Sequence, residues 1–239
     1  MLVALSSVLA PSPARGRDTT ARTETRSDAE VAALTAGLPG CEAGRAHCIG
    51  VRIHVAVGPE DSGEDGARPI ATAEWLAGQL AAANRQFAAI DVGFQVVSGE
   101  PLPASAGHVA TAADRDAVAE GRLGGTVIHV FVTGRLDDID EPGSVIRGVT
   151  WHRRSGDRKY VILSTAAPDR VLAHELGHVF GLPHSRYAIS IMNKAPRAVP
   201  PPEERRFADD ELAAMRPVVK RLLRDGILAE IARAAPARQ

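Results

Sequence analysis

The chain has 239 residues, 45% of them hydrophobic and 24% charged, with a formal net charge of −1. That length allows one domain with a full core plus terminal extensions, and the composition excludes global disorder. The near-neutral balance gives no electrostatic case for a nucleic-acid or anionic-membrane partner, and no apolar run reaches the roughly eighteen residues that a membrane span needs.

Residues 1–14 open on an apolar stretch of the length of a signal-peptide core, followed by small residues, although no Lys or Arg precedes it. They read as a signal peptide, which makes the protein secreted or extracytoplasmic. Residues 15–45 read as a flexible linker or pro-segment, since residues 15–30 are polar and show no periodicity. Cys41 and Cys48 are the only cysteines. In an exported chain they are expected to form one disulfide, contributing about 2–3 kcal/mol on the chain-entropy model.

The folded domain is expected over residues 46–235. Ile49, Val51, Ile53, Val55 and Val57 alternate with polar or small residues as in a strand. An acidic, glycine-containing loop follows at residues 58–69. Thr72 can cap a helix with Glu74 in its first turn, running through Trp75, Leu76, Leu80 and Phe87 to about Ala89. A strand at Val92–Val97 and a weaker helix near Asp114–Glu120 come next. Val127–Thr133 is mostly apolar and β-branched, as a central strand buried on both faces would be. The acidic loop Asp137–Glu141 offers candidate calcium ligands, but its spacing is not that of a calcium loop. Two more strands are expected at Val145–Trp151 and Tyr160–Thr165, then a helix from Asp169. After a Pro-rich bend at Pro196–Pro202, Asp209 or Asp210 can cap a final amphipathic helix through Leu212, Met215, Val218, Val219 and Leu222. His54, His129 and His152 fall on expected strands and are read as ordinary strand histidines.

The chemistry concentrates in residues 174–184, His-Glu-Leu-Gly-His-Val-Phe-Gly-Leu-Pro-His. Residues four apart share a helix face, so His174 and His178 can present two imidazoles to one ion. A catalytic zinc takes three protein ligands and keeps a fourth position open. Six residues of continued helix would carry His184 to the wrong side. Gly181 allows the chain to leave the helix, and Pro183 prevents its resumption, so His184 can return as third ligand. Glu175, next to the first ligand, stands where it can act as general base toward a zinc-activated water.

This motif, with Met192 following in Ser190-Ile191-Met192-Asn193, resembles that of the metzincin metallopeptidases. The short gap from His184 to Met192, and Ser185 after the third histidine, look most like the matrixin branch. Asn193 and Lys194 stand where astacin- and serralysin-like members carry a tyrosine. The resemblance implies an α+β catalytic domain over residues 46–235, with a twisted mixed five-stranded sheet, an active-site helix, a methionine turn and a C-terminal helix. It implies a zinc endopeptidase with one catalytic Zn²⁺ on His174, His178 and His184, Glu175 as catalytic residue, and Gly181 and Met192 as structural residues, the methionine flooring the site. A peptide or protein substrate would lie extended along Val145–Trp151, and the protein is expected to be a monomer. Cys41 lacks the surroundings of the matrixin pro-segment cysteine, which argues against cysteine latency. Two competing readings are a thermolysin-like site with Glu203 or Glu204 as third ligand, and a non-catalytic zinc-stabilised binding or adhesion module.

Overall fold

A computed structural model describes residues 16–58, 68–153 and 158–231. Helix α1 (Gly16–Thr35) leads into strand β1 (His47–Ala56), helix α2 (Ala73–Phe87), strand β2 (Val92–Leu102) and the short strand β3 (His108–Val109). Helix α3 (Ala112–Val118) precedes strands β4 (Ile128–Thr133), β5 (Arg135–Leu136), β6 (Gly148–His152) and β7 (Lys159–Ser164). Helices α4 (Val171–Val179) and α5 (Asp209–Arg224) complete the order.

The main sheet has the order β2-β1-β4-β7-β6, and all its pairs are parallel except β6 with β7. It is the expected mixed five-stranded sheet, with β4 at its centre and the antiparallel β6 at one edge. Successive strand residues face opposite sides, and here both sides are covered. Val51, Ile53, Val55, Val130, Val132, Val161 and Leu163 pack with buried residues of α2, α4 and α5 on one face. Phe131, Tyr160 and Ile162 pack on the other with Val109, Val118 and Leu136. Two-sided burial explains why β4 is mostly apolar, with His129 and Thr133 its buried polar residues.

Thr72 caps α2 as expected, its hydroxyl accepting from the Trp75 amide at 3.2 Å. Three expectations change. Where composition suggests a flexible linker, α1 is a helix docked beside β2. Val31 is fully buried, and Thr35 sits so close to Gly99 that a side chain there would collide with it. Polar residues around a few buried anchors conceal such a helix from a periodicity search. Asp169 does not start α4, which begins at Val171. The Leu172 amide instead finds Gln79 Oε1 of α2 at 3.0 Å, while Gln79 Nε2 donates to the carbonyls of Ala167 and Pro168. Neither Asp209 nor Asp210 caps α5. Ala208 takes that position, and its amide donates to Glu211 Oε2 at 2.8 Å. At α4 a buried residue from another element satisfies the helix end as well as a local cap does, which local sequence does not reveal, whereas at α5 the helix's own Glu211 serves.

Cys41 and Cys48 are joined as a disulfide, with Cα atoms 5.8 Å apart. The expected signal peptide and residues 59–67 of the acidic loop lie outside the described residues. Among those described, no helix is long and apolar enough to cross a membrane.

Candidate active site

Helix α4 is short and lies between β6 and the core, burying Leu172, Ala173, Glu175, Leu176 and Gly177. Its seat on the sheet depends on Gly148 of β6, where a Cβ would come within 2.7 Å of Val171 Cγ1 and 3.1 Å of Glu175 Cγ. His174 and His178 project from the open side of α4. At Gly181, with φ of 92°, the chain reverses, and the Leu182 amide bonds back to the Gly177 carbonyl at 2.9 Å. This is a six-to-one helix stop that needs a residue without a Cβ penalty at positive φ. The reversal brings the exposed His184 to the other two histidines, and one ligand atom from each of the three lies within 4.8 Å of the others.

The ring hydrogen bonds test whether this cluster suits a metal. His174 Nδ1 is 2.7 Å from the Ile191 carbonyl, and His178 Nδ1 is 2.7 Å from the Leu182 carbonyl. A carbonyl only accepts, so each Nδ1 carries the proton and each Nε2 keeps its lone pair for an ion. Burial lowers the pKa of all three imidazoles, His174 to about 4, which favours the neutral form that ligates. The donor set therefore fits zinc.

Glu175 is only 4% exposed. Burial pushes its carboxyl up to about 7, against the opposing effect of hydrogen bonds from Thr150. Thr150 of β6 has its Oγ1 2.9 Å from Glu175 Oε2 and 2.7 Å from the Glu175 carbonyl. The single hydroxyl proton can serve either acceptor.

Beneath the site, Met192 is fully buried, and its Sδ would lie 2.7 Å from a Cβ placed on Gly177. The methionine thus packs directly under the helix between the two ligand-bearing turns. Its turn is tied in several ways. The Met192 amide donates to Ser190 Oγ at 2.8 Å, and that hydroxyl in turn donates to the buried Glu211 carboxylate. Arg197 donates to the carbonyls of Ser190, Asn193, Ala188 and Ala195. The Ser185 amide reaches the Met192 carbonyl at 3.2 Å, tying the turn to the segment after His184.

Other sequence candidates fall elsewhere. Glu203 and Glu204 occupy an exposed turn outside the histidine cluster, which leaves the thermolysin-like reading without a ligand. Asp137 pairs with Arg135 and His108. Among the described residues only the three histidines gather as a metal-sized group of His, Cys, Asp or Glu side chains. Cys41 is committed to its disulfide. His54 and His129 form a buried pair on β1 and β4, Nε2 to Nδ1 at 3.1 Å, and His152 is exposed. Sequence reasoning missed Thr150, Gln79, Gly177 and Glu211. Only Gly177 carried a signal, a glycine inside a helix.

The histidines, Glu175 and Thr150 line an open cleft of about 860 Å³, bounded by β6 on one side and by Leu182, Pro183, Ile191 and Lys194 on the other. The family model for the matrixins, a peptidase family, matches residues 148–218. No curated protein matches the chain. Among solved structures, archaemetzincin from Methanopyrus kandleri aligns with a TM-score of 0.44 and 20% identity, covering 75% of this chain and 99% of that one. From β6 through the site helix and methionine turn into α5, residues 148–218 are similar to the matrixin peptidases.

Proposed function

We propose that the protein is a secreted zinc-dependent endopeptidase in which His174, His178 and His184 hold one catalytic zinc and Glu175 is the general base. The observation that carries this reading is the buried Glu175 carboxylate, fixed by Thr150 beside the histidine cluster and open to a cleft along an unpaired sheet edge. Zinc, when bound, supplies the Lewis acidity that makes water nucleophilic near neutral pH. Glu175 takes the proton of the attacking water and hands it to the leaving amine. Thr150 holds the carboxylate in the orientation that this transfer needs. The substrate adds as an extended strand to the free edge of β6, where backbone groups are not used by β7. In this reading the catalytic domain includes α1, which packs on β2, Gly181 delivers the third ligand and Met192 floors the site. Export is supported by the Cys41–Cys48 disulfide, a bond that persists in oxidising compartments.

The test is Glu175→Gln. The variant should keep its zinc, measured by metal analysis, and its fold, measured by circular dichroism. It should lose at least about 10²-fold of the chelator-sensitive cleavage of a peptide library. Equal cleavage by the variant would remove Glu175 as base. A wild-type protein that holds zinc and cleaves nothing would favour the binding module.

A further inference from the structure

The cleft is unevenly charged. At the rim, Asp138 and Asp140 act on Arg115. That guanidinium is 3% exposed, lies over the Trp151 ring and donates to the Asp137 carbonyl, so it offsets one of the two carboxylate charges and leaves the rim with one net negative charge. Around the histidines the other permanently charged lining residues are Arg147, Lys159, Arg170 and Lys194, with Glu175 the lone acid. Lys159 Nζ donates to the His178 carbonyl at 2.7 Å, which pins its ammonium beside a ligand-bearing turn. The side chains of Arg147, Arg170 and Lys194 make no hydrogen bond or ion pair among the described residues. Arg170 is partly desolvated and has Arg205 for a neighbour, with Glu203 the opposing charge.

Unpaired cations scattered over a surface serve solubility alone. Here four cations, three of them without a hydrogen-bond or ion-pair partner among the described residues, line one cleft of a chain with net charge −1. A bound zinc ion adds to the same positive field. Complementary charge in a cleft raises encounter rate and discriminates against like-charged ligands.

Resting on the peptidase reading, we propose that the cleft selects peptides with Asp or Glu side chains close to the scissile bond, recognised by Arg147, Lys159, Arg170 and Lys194. A peptide lying along β6 presents alternate side chains to the two walls of the cleft, so an acidic residue can meet these cations while the backbone pairs with the strand.

The experiment uses the zinc-loaded protein and a peptide library of balanced composition, with and without chelator, and cleavage sites are read by mass spectrometry. Acidic residues should be enriched roughly three- to five-fold near the cleaved bonds, the scale of partly exposed ion pairs. Arg170→Glu and Lys194→Glu should each reduce that enrichment, and the double variant should shift it toward Lys and Arg. As a readout that needs no turnover, Glu175→Gln protein should bind a fluorescent acidic peptide more tightly than its basic counterpart, with the difference shrinking as salt rises. Chelator-sensitive cleavage without acidic enrichment, or enrichment unmoved by both reversals, overturns this proposal and leaves the peptidase reading standing. Absence of any chelator-sensitive cleavage overturns both.

Discussion

Thr150→Val offers a sharp perturbation of the site because it changes one atom's chemistry and little else. Valine keeps the shape and β-branching that suit strand β6, but it deletes the hydroxyl that lies 2.9 Å from Glu175 Oε2 and 2.7 Å from the Glu175 carbonyl. Glu175 is 4% exposed, so water is poorly placed to replace the lost donor. A hydrogen bond to a charged group contributes about 1.5–3 kcal/mol, more than a neutral one. If that energy serves to hold the carboxylate for proton transfer, its loss raises the barrier by a similar amount and lowers kcat roughly 10- to 100-fold. KM should change little, because the hydroxyl is spent inside the protein and not on the peptide. Thr150→Ser, which keeps the hydroxyl, should retain most of kcat. The assay is steady-state cleavage of a fluorogenic peptide by zinc-loaded wild type and both variants, with zinc content checked for each. A Val variant within two-fold of wild-type kcat, or a Ser variant that falls as far as Val, would refute the positioning role.

Three further outcomes are expected. His184→Ala should leave the protein folded and greatly weaken zinc binding, read by competition with a zinc indicator; undiminished affinity would remove His184 from the ligand set. Gly177→Ala should destabilise the domain by about 1–3 kcal/mol in urea unfolding despite the better helix propensity of alanine, because its Cβ would sit 2.7 Å from Met192 Sδ and 3.1 Å from Phe207. Acidification should weaken the fold through the buried His54–His129 pair, whose pKa values burial lowers from 6.5 to about 3 and about 4, with Arg52, Arg122 and Arg158 adding to the effect and Glu100 lying beside His54. Such groups stabilise fully above pH 6.5, where both states are neutral, and lose that contribution as pH falls toward their folded values. Relative to a His54→Leu/His129→Leu variant, the wild type should lose about 2 kcal/mol per histidine by pH 5, and parallel pH profiles of the two would count against the reasoning.

The histidine cluster was legible because its constraints are local. The four-residue helical spacing of His174 and His178, the exit at Gly181 and the return of His184 all lie within eleven residues, where periodicity and glycine conformation govern geometry. The strands were legible for a related reason, since two-sided burial leaves mostly apolar, β-branched runs such as Ile128–Thr133. What escaped was whatever depends on chain segments meeting in space. Gln79 at the start of α4, Glu211 under the methionine turn and Thr150 against Glu175 are all ordinary residues in their own segments. Helix α1 escaped for a different reason, since its polar composition hides the few residues that anchor it on β2.

That division has a mechanistic consequence. The ligands and the carbonyls that fix their tautomers, Ile191 and Leu182, belong to one continuous stretch, so this stretch can hold a metal in the right geometry almost by itself. The groups that govern the general base come from elsewhere. Thr150 and Gly148 arrive on the edge strand, and Gln79 arrives on α2 to hold the first turn of α4. Metal affinity and rate therefore depend on different parts of the chain. Changes at His174, His178 or His184 should register first as lost zinc, whereas changes at Glu175 or at Thr150 should register as lost turnover in a protein that still carries its metal. On the proposed reading the edge strand has two roles, its outer edge receiving the peptide while Thr150 holds the carboxylate that attends to the peptide's cleavage.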